Sequence, residues 1–458
     1  MDLIKDIFKG DKVIWIIFLF LCLISVVEVF SAASTLTYKS GDHWGPITQH
    51  SVILMVGAFI VVLVHNIPCK YFSVLPFFLL PISCILLLFV MGMGFITGDR
   101  VNGAARWMTF FGIQFQPSEL AKMAVIIVTA FILSKFQEED GANPKAFKYI
   151  LWIIGIVFML IAPENGSTAA LLAGVVFLMM LIGRVPWKQL GKLVSIVGIF
   201  VFLFVGIIMV TPASKYRDLP MMHRVETWQS RIKGFFDDKG AVPAAKFDID
   251  KDAQIAHANI AIATSNVIGK MPGNSVQRDF LSQAFSDFIF AIVIEELGLL
   301  GGAFIVMLYL WLLIRAGRIA KRSDKHFPAF LVMGIALLLV SQAMLNMMVA
   351  VSLFPVTGQP LPLISKGGTS TLINCAYIGM ILSVSRYVAD KEEQRRQEEL
   401  KANDEKLQAA AQALVLQARE LANSEKVEDE NEEVLAEALQ IVQANDVSDN
   451  TEIKDNRV

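Results

Sequence analysis

Three carboxylates stand near one end of a long apolar segment, SDFIFAIVIEELGLLGGAFIVMLYLWLLIR, which covers residues 286–315. They belong to Asp287, Glu295 and Glu296. The segment is long enough to cross a bilayer, where a charged side chain is costly and is rarely kept without a task or a partner. On a regular helix Glu295 would lie about 80° round the axis from Asp287, and Glu296 about half a turn round, so the three would not share a face. Asp287, nearest the water interface, is the candidate for a group that exchanges protons with a substrate; the alternative is an aspartate that stabilises a helix start.

A second charged pair opens another apolar segment, which reads FQPSELAK at residues 115–122. Proline followed by serine favours a helix start, and Glu119 and Lys122 are then neighbours three residues apart on one face. A lysine one turn inside a span needs an acidic partner or a water-filled cavity. Two interpretations stay open: a local pair with Glu119, or a contact of Lys122 with Asp287 across helices.

Cationic side chains and glycine turns could bind an anion. Arg224 and Arg231 lie in the longest loop and could hold a phosphate group, although ordinary surface arginines explain them equally well. Lys366 stands before two glycines in TGQPLPLISKGGTS, and the turn GKMPGNS ends at Ser275. Backbone amides in such turns can bind anionic oxygens, but the turn lacks the phosphate-loop pattern, and neither nucleotide binding nor nucleic-acid binding is expected. Scattered histidines and four cysteines without pair spacing give no sign of a metal site or disulfide.

The elements that position these residues are membrane helices. The chain has 458 residues, of which 55% are hydrophobic, and its mean hydropathy is +0.56. Such a composition, arranged in apolar runs of about 18–25 residues, predicts a polytopic helical membrane protein. We predict about ten spans, at residues 13–33, 50–67, 73–95, 118–136, 147–163, 166–183, 189–211, 284–314, 327–351 and 368–389.

The orientation of the spans follows from lysine and arginine in the short loops, which collect on the cytoplasmic side. Lys70 lies between spans 2 and 3, and Arg315, Arg318 and Arg322 lie between spans 8 and 9. These loops fall on one side together with both termini, which are therefore predicted to be cytoplasmic. The polar loops lie on the other, extracytoplasmic side.

The expected fold class is an all-α polytopic membrane protein with one large extracytoplasmic loop, residues 212–283, between spans 7 and 8. Residues 1–390 form the membrane domain. Residues 391–458 form a cytoplasmic tail, helical to about residue 423 and disordered in its acidic remainder.

Taken together, the motifs resemble the SEDS family (shape, elongation, division and sporulation proteins), which includes FtsW and RodA, and FtsW is slightly favoured. The matching stretches are NGAARWM, FQPSELAK, PENGSTAALL, GNSVQ, SDFIFAIVIEELGLLG and TGQPLPLISKGGTS, in that order along the chain. Three departures stand out: Glu164-Asn165 replaces aspartate-leucine, Lys366 replaces a tyrosine, and Met271-Pro272 occupies the turn before Asp287.

The resemblance implies a peptidoglycan glycosyltransferase that polymerises lipid II into glycan strands at the outer face of the bacterial cytoplasmic membrane, in cell division or in the elongation that sets cell shape. It places the essential aspartate at Asp287 as general base and conserved acidic and basic positions at Glu119 and Lys122. Supporting roles are expected for Arg224, Arg231, Lys366, Ser275 and Glu296. A divalent cation, Mg or Mn, could assist, and no organic cofactor is expected. The implied partners are the nascent glycan strand, a class B penicillin-binding protein as transpeptidase, and other divisome or elongasome membrane proteins.

Two further hypotheses come from other functional classes. A lipid II flippase or transporter would also carry charge within the membrane, but it would place that charge near the midplane and gate both sides. A non-catalytic scaffold that recruits a transpeptidase would not need Asp287. The concentration of polar motifs on one side favours the enzyme.

Overall fold

A computed structural model describes residues 9–32, 44–96, 107–110, 113–210, 229, 253–281 and 284–423. The described residues are mainly helical, as the all-α prediction requires. The helices are α1 Lys12–Ala32, α2 Gly45–Asn66, α3 Leu75–Ile96, α4 Pro117–Lys135, α5 Pro144–Ile161, α6 Gly166–Ile182, α7 Trp187–Val210, α8 Ala253–Thr264, α9 Ile289–Arg322, α10 His326–Ala350 and α11 Thr369–Asn423. Short 3₁₀ turns lie at Cys69–Ser73 and Gln277–Asp279.

Two small antiparallel hairpins complete the described structure. The strands β1 Met108–Phe110 and β2 Ile113–Phe115 pair directly before α4, with Met108 opposite Phe115. The strands β3 Gln137–Glu138 and β4 Gly141–Ala142 pair between α4 and α5.

Among the described residues, nine helices are long and apolar enough to cross a membrane. A tenth, α6, is apolar but has only 17 residues. It lies where span 6 was predicted, and Asn165 caps its start by accepting a hydrogen bond from the amide of Thr168 over 3.3 Å. The cap and Gly183 at the other end limit the length of α6.

The chain divides into two compact units, Met1–Val388 and Ala389–Val458. In the first, α4 and α10 pack against each other and, with the apolar part of α11, are the most enclosed of the described spans, and α9 packs on α10 and α1. By contrast, α7 exposes apolar side chains at most described positions between Trp187 and Ile207, as a lipid-facing span would. In the second unit, the described residues continue α11 as an exposed polar helix to Asn423. The predicted disorder after residue 423 lies outside the described residues.

The predicted span 8 is wrong in its start and its regularity. The helix α9 begins at Ile289 rather than at 284, so Asp287 precedes it, and the helix breaks at Gly298, where φ is 72° and ψ is −175°. The segment before the site folds back here: the amides of Lys270 and Met271 donate to the carbonyls of Glu295 and Glu296 over 2.9 and 2.8 Å. A Cβ on Gly298 would lie 2.3 Å from the carbonyl oxygen of Val267, so this approach requires glycine.

Candidate functional site

The site is organised by the α10–α11 loop, residues 351–368, whose middle is buried. Three hydrogen bonds fix the backbone of this loop: two come from side chains on α9 and α1, and one is formed within the loop. Tyr309 on α9 donates to the carbonyl of Pro362, Ser25 on α1 donates to the carbonyl of Ile364 over 2.8 Å, and the Leu361 amide donates to Ser365 Oγ over 2.8 Å. The loop is therefore a rigid platform rather than a loose connection.

Asp287 lies against this platform and is half-buried. Ser286 Oγ donates to Asp287 Oδ1 over 3.1 Å. A Cβ on Gly358 would lie 3.5 Å from Asp287 Oδ2, so the glycine brings the loop backbone close to the carboxylate. The main chain before it is tied to the same loop, because Ser365 Oγ donates to the Ser286 carbonyl over 2.7 Å and the Lys366 amide donates to the Phe285 carbonyl over 2.9 Å. The turn that presents Asp287 is thus held by the α10–α11 loop.

Lys122 makes a local pair, the first of the two interpretations left open by the sequence. Its Nζ lies 2.9 Å from Glu119 Oε1 and donates to Gln342 Oε1 over 2.8 Å. Lys122 and Glu119 are 1% and 2% exposed, so the ion pair is fully enclosed by the bundle. The proposed direct contact of Lys122 with Asp287 is not the arrangement found.

Two buried amides on α10, Gln342 and Asn346, were missed by the sequence analysis. Gln342 Nε2 donates to the carbonyl of Pro360 over 3.0 Å, and Asn346 Nδ2 donates to the carbonyls of Asp287 and Gln359 over 2.8 Å each. The available signal was a pair of amides four residues apart on one face of an otherwise apolar span. These amides connect α10 to both chain segments at the site.

The start of α6 also contacts the α10–α11 loop. Ser167 Oγ donates to the carbonyl of Thr357 over 2.8 Å, and Gln359 Nε2 donates to Thr168 Oγ1 over 2.7 Å. Asn165, one of the departures from the family pattern, is the cap of this helix start, and Glu164 beside it is 8% exposed. The substitution at 165 therefore supports the helix that holds the loop.

Glu295 and Glu296 hold the turn that contains Ser275. Ser275 Oγ donates to Glu295 Oε2 over 2.5 Å, and Lys270 Nζ lies 2.6 Å from Glu295 Oε1. Glu296 accepts from Ser31 Oγ and from the amides of Gly273 and Ser275 over 3.1 and 3.2 Å. The turn does bind anionic oxygens, but these belong to the protein's own carboxylates. Ser275 and Glu296 accordingly support the loop structure.

Lys366 lies at the edge of the site. Its Nζ is 5.9 Å from the centre of the Phe285 ring. Partial burial lowers the pKa of Lys366, because desolvation disfavours the ammonium form. The lysine remains partly accessible to solvent.

Other parts of the expected site are less complete. Arg224 and Arg231 lie outside the described residues. The hairpin before α4 reaches the start of α11, since Thr369 Oγ1 donates to the carbonyl of Gln114 over 3.1 Å. Within the described ranges, no group of three histidine, cysteine or acidic side chains could hold a metal ion.

A largely apolar cleft lies between α3, α4, α5 and the start of α6. Its walls include Leu87, Val90 and Leu160, and its polar lining comes from Ser118, Glu164 and Asn165.

Comparison with known proteins gives a consistent result. A family model for FtsW, RodA and SpoVE, described as cell cycle protein, matches residues 11–390. The chain is 29% identical over 387 residues to the probable peptidoglycan glycosyltransferase FtsW of Halomonas elongata, covering 82% of this chain and 90% of that protein. It is 30% identical over 388 residues to the protein of the same name from Geobacter metallireducens, covering 83% and 96%.

Solved structures show the same fold. A chain from a study of the structural coordination of polymerization and crosslinking by a peptidoglycan synthase complex matches with a TM-score of 0.63 and 22% identity, covering 83% of this chain and 99% of that one. The rod shape determining protein RodA of Thermus thermophilus matches with a TM-score of 0.55 and 22% identity, covering 83% and 97%.

Proposed function

The chain belongs to the FtsW, RodA and SpoVE family of cell cycle proteins, and on that premise we propose that it is a peptidoglycan glycosyltransferase acting in cell division. Its substrate in this proposal is lipid II, a disaccharide-pentapeptide carried on undecaprenyl diphosphate. The observation that carries the mechanism is the placement of Asp287, half-buried and held against the rigid α10–α11 loop.

Asp287 acts as general base. The acceptor sugar hydroxyl attacks the anomeric carbon of the donor, a new carbon–oxygen bond forms, and the bond to the diphosphate oxygen breaks. The hydroxyl proton passes to the Asp287 carboxylate, and the electron pair of the broken bond leaves with the diphosphate. A base within hydrogen-bond reach typically contributes about 10²–10⁴ to the rate.

The diphosphate leaving group needs positive charge, which preorganised cations supply most effectively. Lys366 can provide part of this positive charge, and we propose Arg224 and Arg231 as further contributors. The described residues form no multidentate metal site of acidic, histidine or cysteine side chains. A divalent cation, Mg or Mn, therefore enters the proposal as a companion of the diphosphate, since Mg is commonly held by one or two carboxylates and substrate phosphates. The cation would neutralise part of the negative charge of the diphosphate.

The site faces the extracytoplasmic side of the bacterial cytoplasmic membrane in this proposal. Lysine and arginine collect at the opposite end, in the α9–α10 connection among others, as the positive-inside rule requires. Lipid II keeps its tail in the bilayer and its sugars in water, so an interfacial site fits it.

A class B penicillin-binding protein is the proposed transpeptidase partner, with other divisome or elongasome membrane proteins around it. The support is the fold shared with a chain from a peptidoglycan synthase complex. The polymerised glycan would pass directly to such an enzyme for crosslinking.

The proposal is tested with purified protein in lipid vesicles, with and without the partner, supplied with labelled lipid II on the outer surface. We expect glycan strands that a muramidase digests. Transport of lipid II without polymerisation would indicate a flippase. Crosslinking by the partner, without strand synthesis by this chain, would indicate a scaffold. Either result would overturn the proposed activity.

A further inference from the structure

Gln342 and Asn346 lie one turn apart on α10, and each is 1% exposed. A buried amide in a membrane span is costly unless its polar atoms are paired. Both amides donate to main-chain carbonyls of the site rather than to neighbouring helices. The amide face of α10 therefore has a specific task at the site.

The Asn346 side chain joins two chain segments at a single atom. Its Nδ2 carries two hydrogens and donates to two acceptors, the carbonyl oxygens of Asp287 and Gln359, at 2.8 Å each. The first segment carries the proposed base and the second belongs to the α10–α11 loop. Asn346 thus fixes the distance between the base and the platform.

We propose that Asn346 is the positioning residue of Asp287: by holding the Asp287 carbonyl and the α10–α11 loop together, it sets the direction of the carboxylate toward the acceptor hydroxyl. This inference rests on the proposed role of Asp287 as base. Asn346 does not touch the reacting atoms in this account and acts only through Asp287.

Gln342 extends the arrangement to the buried ion pair. It accepts from Lys122 Nζ over 2.8 Å and donates to the Pro360 carbonyl over 3.0 Å, one residue beyond the Gln359 carbonyl held by Asn346. Lys122 therefore influences the base indirectly, through Gln342 and the loop. This connection explains why a lysine that pairs with its own helix could still matter for catalysis.

Asparagine suits position 346 because it is short and offers two hydrogens from one nitrogen. An ionised aspartate would set negative charge against two carbonyl oxygens, and leucine, which has the same branching, would donate nothing. Buried Oδ1 of Asn346 has no hydrogen-bond partner among the described residues, so donation is the function that the side chain performs there.

The test uses full-length Asn346→Leu, which keeps the branched shape of the side chain, removes both donor hydrogens and suits an apolar span. We expect kcat for lipid II polymerisation to fall about 10- to 100-fold, as misplacement of a catalytic group by about 1 Å does, with KM within about twofold. Tm should also fall modestly, because the carbonyls of Asp287 and Gln359 lose their shared donor. Ser383→Ala is the matched control: it removes another buried side-chain hydrogen bond to a main-chain carbonyl, that of Ile67, outside the site. Its kcat should stay within about threefold of wild type, well above that of Asn346→Leu.

A double-mutant cycle separates positioning from general stability. Because Asn346 acts through Asp287, Asn346→Leu should cost little further activity in an Asp287→Asn background. The inference would be overturned if Asn346→Leu lowered kcat by the same factor in the Asp287→Asn background as in the wild-type background. A wild-type kcat for Asn346→Leu alone would also overturn it. If Asn346→Leu fails to fold, Asn346→Ser, which retains one donor, is compared instead. Its kcat should lie between the wild-type value and the value about 10- to 100-fold lower that is expected when both donors are lost.

The cycle also distinguishes this inference from the proposed function. If Asp287→Asn is inactive while Asn346→Leu and Asn346→Ser are fully active, only the positioning role is wrong. If Asp287→Asn polymerises at the wild-type rate, the base assignment and the inference built on it both fail.

Discussion

Lys122 Nζ lies 2.9 Å from Glu119 Oε1 inside the bundle, where both side chains are almost completely enclosed. Both residues belong to one helix, α4, and Lys122 also donates to Gln342 on α10. Two opposite charges at this depth stabilise each other, but either one alone would be a buried charge without compensation.

Removal of one partner should therefore be much worse than removal of both. We expect Lys122→Met to destabilise the protein by about 3–5 kcal/mol, because it leaves the Glu119 carboxylate buried and unpaired, and we expect Lys122→Met with Glu119→Leu to recover most of that loss. Thermal unfolding in detergent measures both. Lys70→Met is the control, since Lys70 is exposed beside Tyr71, and it should change stability by no more than about 0.5 kcal/mol. Equal losses in the single and double variants would contradict the pairing.

Gly298 should tolerate no side chain. Its φ of 72° is strained for other residues, and a Cβ would lie 2.3 Å from the Val267 carbonyl oxygen. We expect Gly298→Ala to lower the free energy of unfolding by at least about 1–3 kcal/mol. Gly155→Ala on α5 is the matched control, because a Cβ there has no atom within 4 Å. A Gly298→Ala protein with the thermal stability of the control would show that the helix break is not required.

Lys366 should set the alkaline limit of activity. Burial lowers its pKa, so it loses its proton at a lower pH than an ordinary lysine with a pKa of about 10.4. If the protonated amine binds the diphosphate, kcat/KM falls as the pH rises through that lowered pKa. Lys366→Arg, with a pKa above about 12, should shift the alkaline limb upward, and Lys366→Met should lower kcat/KM at pH values below the lysine pKa and abolish the alkaline limb. An alkaline limb unchanged in Lys366→Arg would remove Lys366 from substrate binding.

The connection between α9 and α10 should face the cytoplasm. The warrant is the cluster of Arg315, Arg318 and Arg322. In a background without accessible native thiols, a cysteine in place of Ser323 should resist an impermeant thiol reagent applied outside intact cells. A cysteine in place of Leu353, which is exposed at the other end of α10, should be labelled. Labelling in the reverse pattern would invert the topology.

The sequence predicts the helices well because apolar runs of bilayer length determine them. It places the start of α4 at Pro117-Ser118 and finds α6 despite its short length. It could not predict the break at Gly298, because the cause is a backbone approach from residues 266–271 that no local pattern records. A regular helix was the simplest expectation for an uninterrupted apolar run.

The site was predictable in its charged residues and less so in its neutral ones. Asp287, Glu119 and Lys122 attract notice because charge in a span is rare. Gln342 and Asn346 carry no charge, and their importance depends on carbonyl oxygens that meet only in the folded chain. The roles of Ser275 and Glu296 likewise depend on their mutual contacts, since Ser275 binds the carboxylates that hold its own turn.

The most direct test of the central claim is the polymerisation rate of Asp287→Asn with purified protein, its partner and labelled lipid II, measured beside Tm and partner binding. Asparagine keeps the shape but removes the basic oxygen, so we expect the rate to fall about 10²–10⁴-fold while the fold and the complex survive. Glu296→Gln serves as comparator. It should lower Tm, because that carboxylate accepts from Ser31, Gly273 and Ser275, and it should lower the polymerisation rate less than Asp287→Asn does. An Asp287→Asn protein that polymerises lipid II at the wild-type rate would contradict the account.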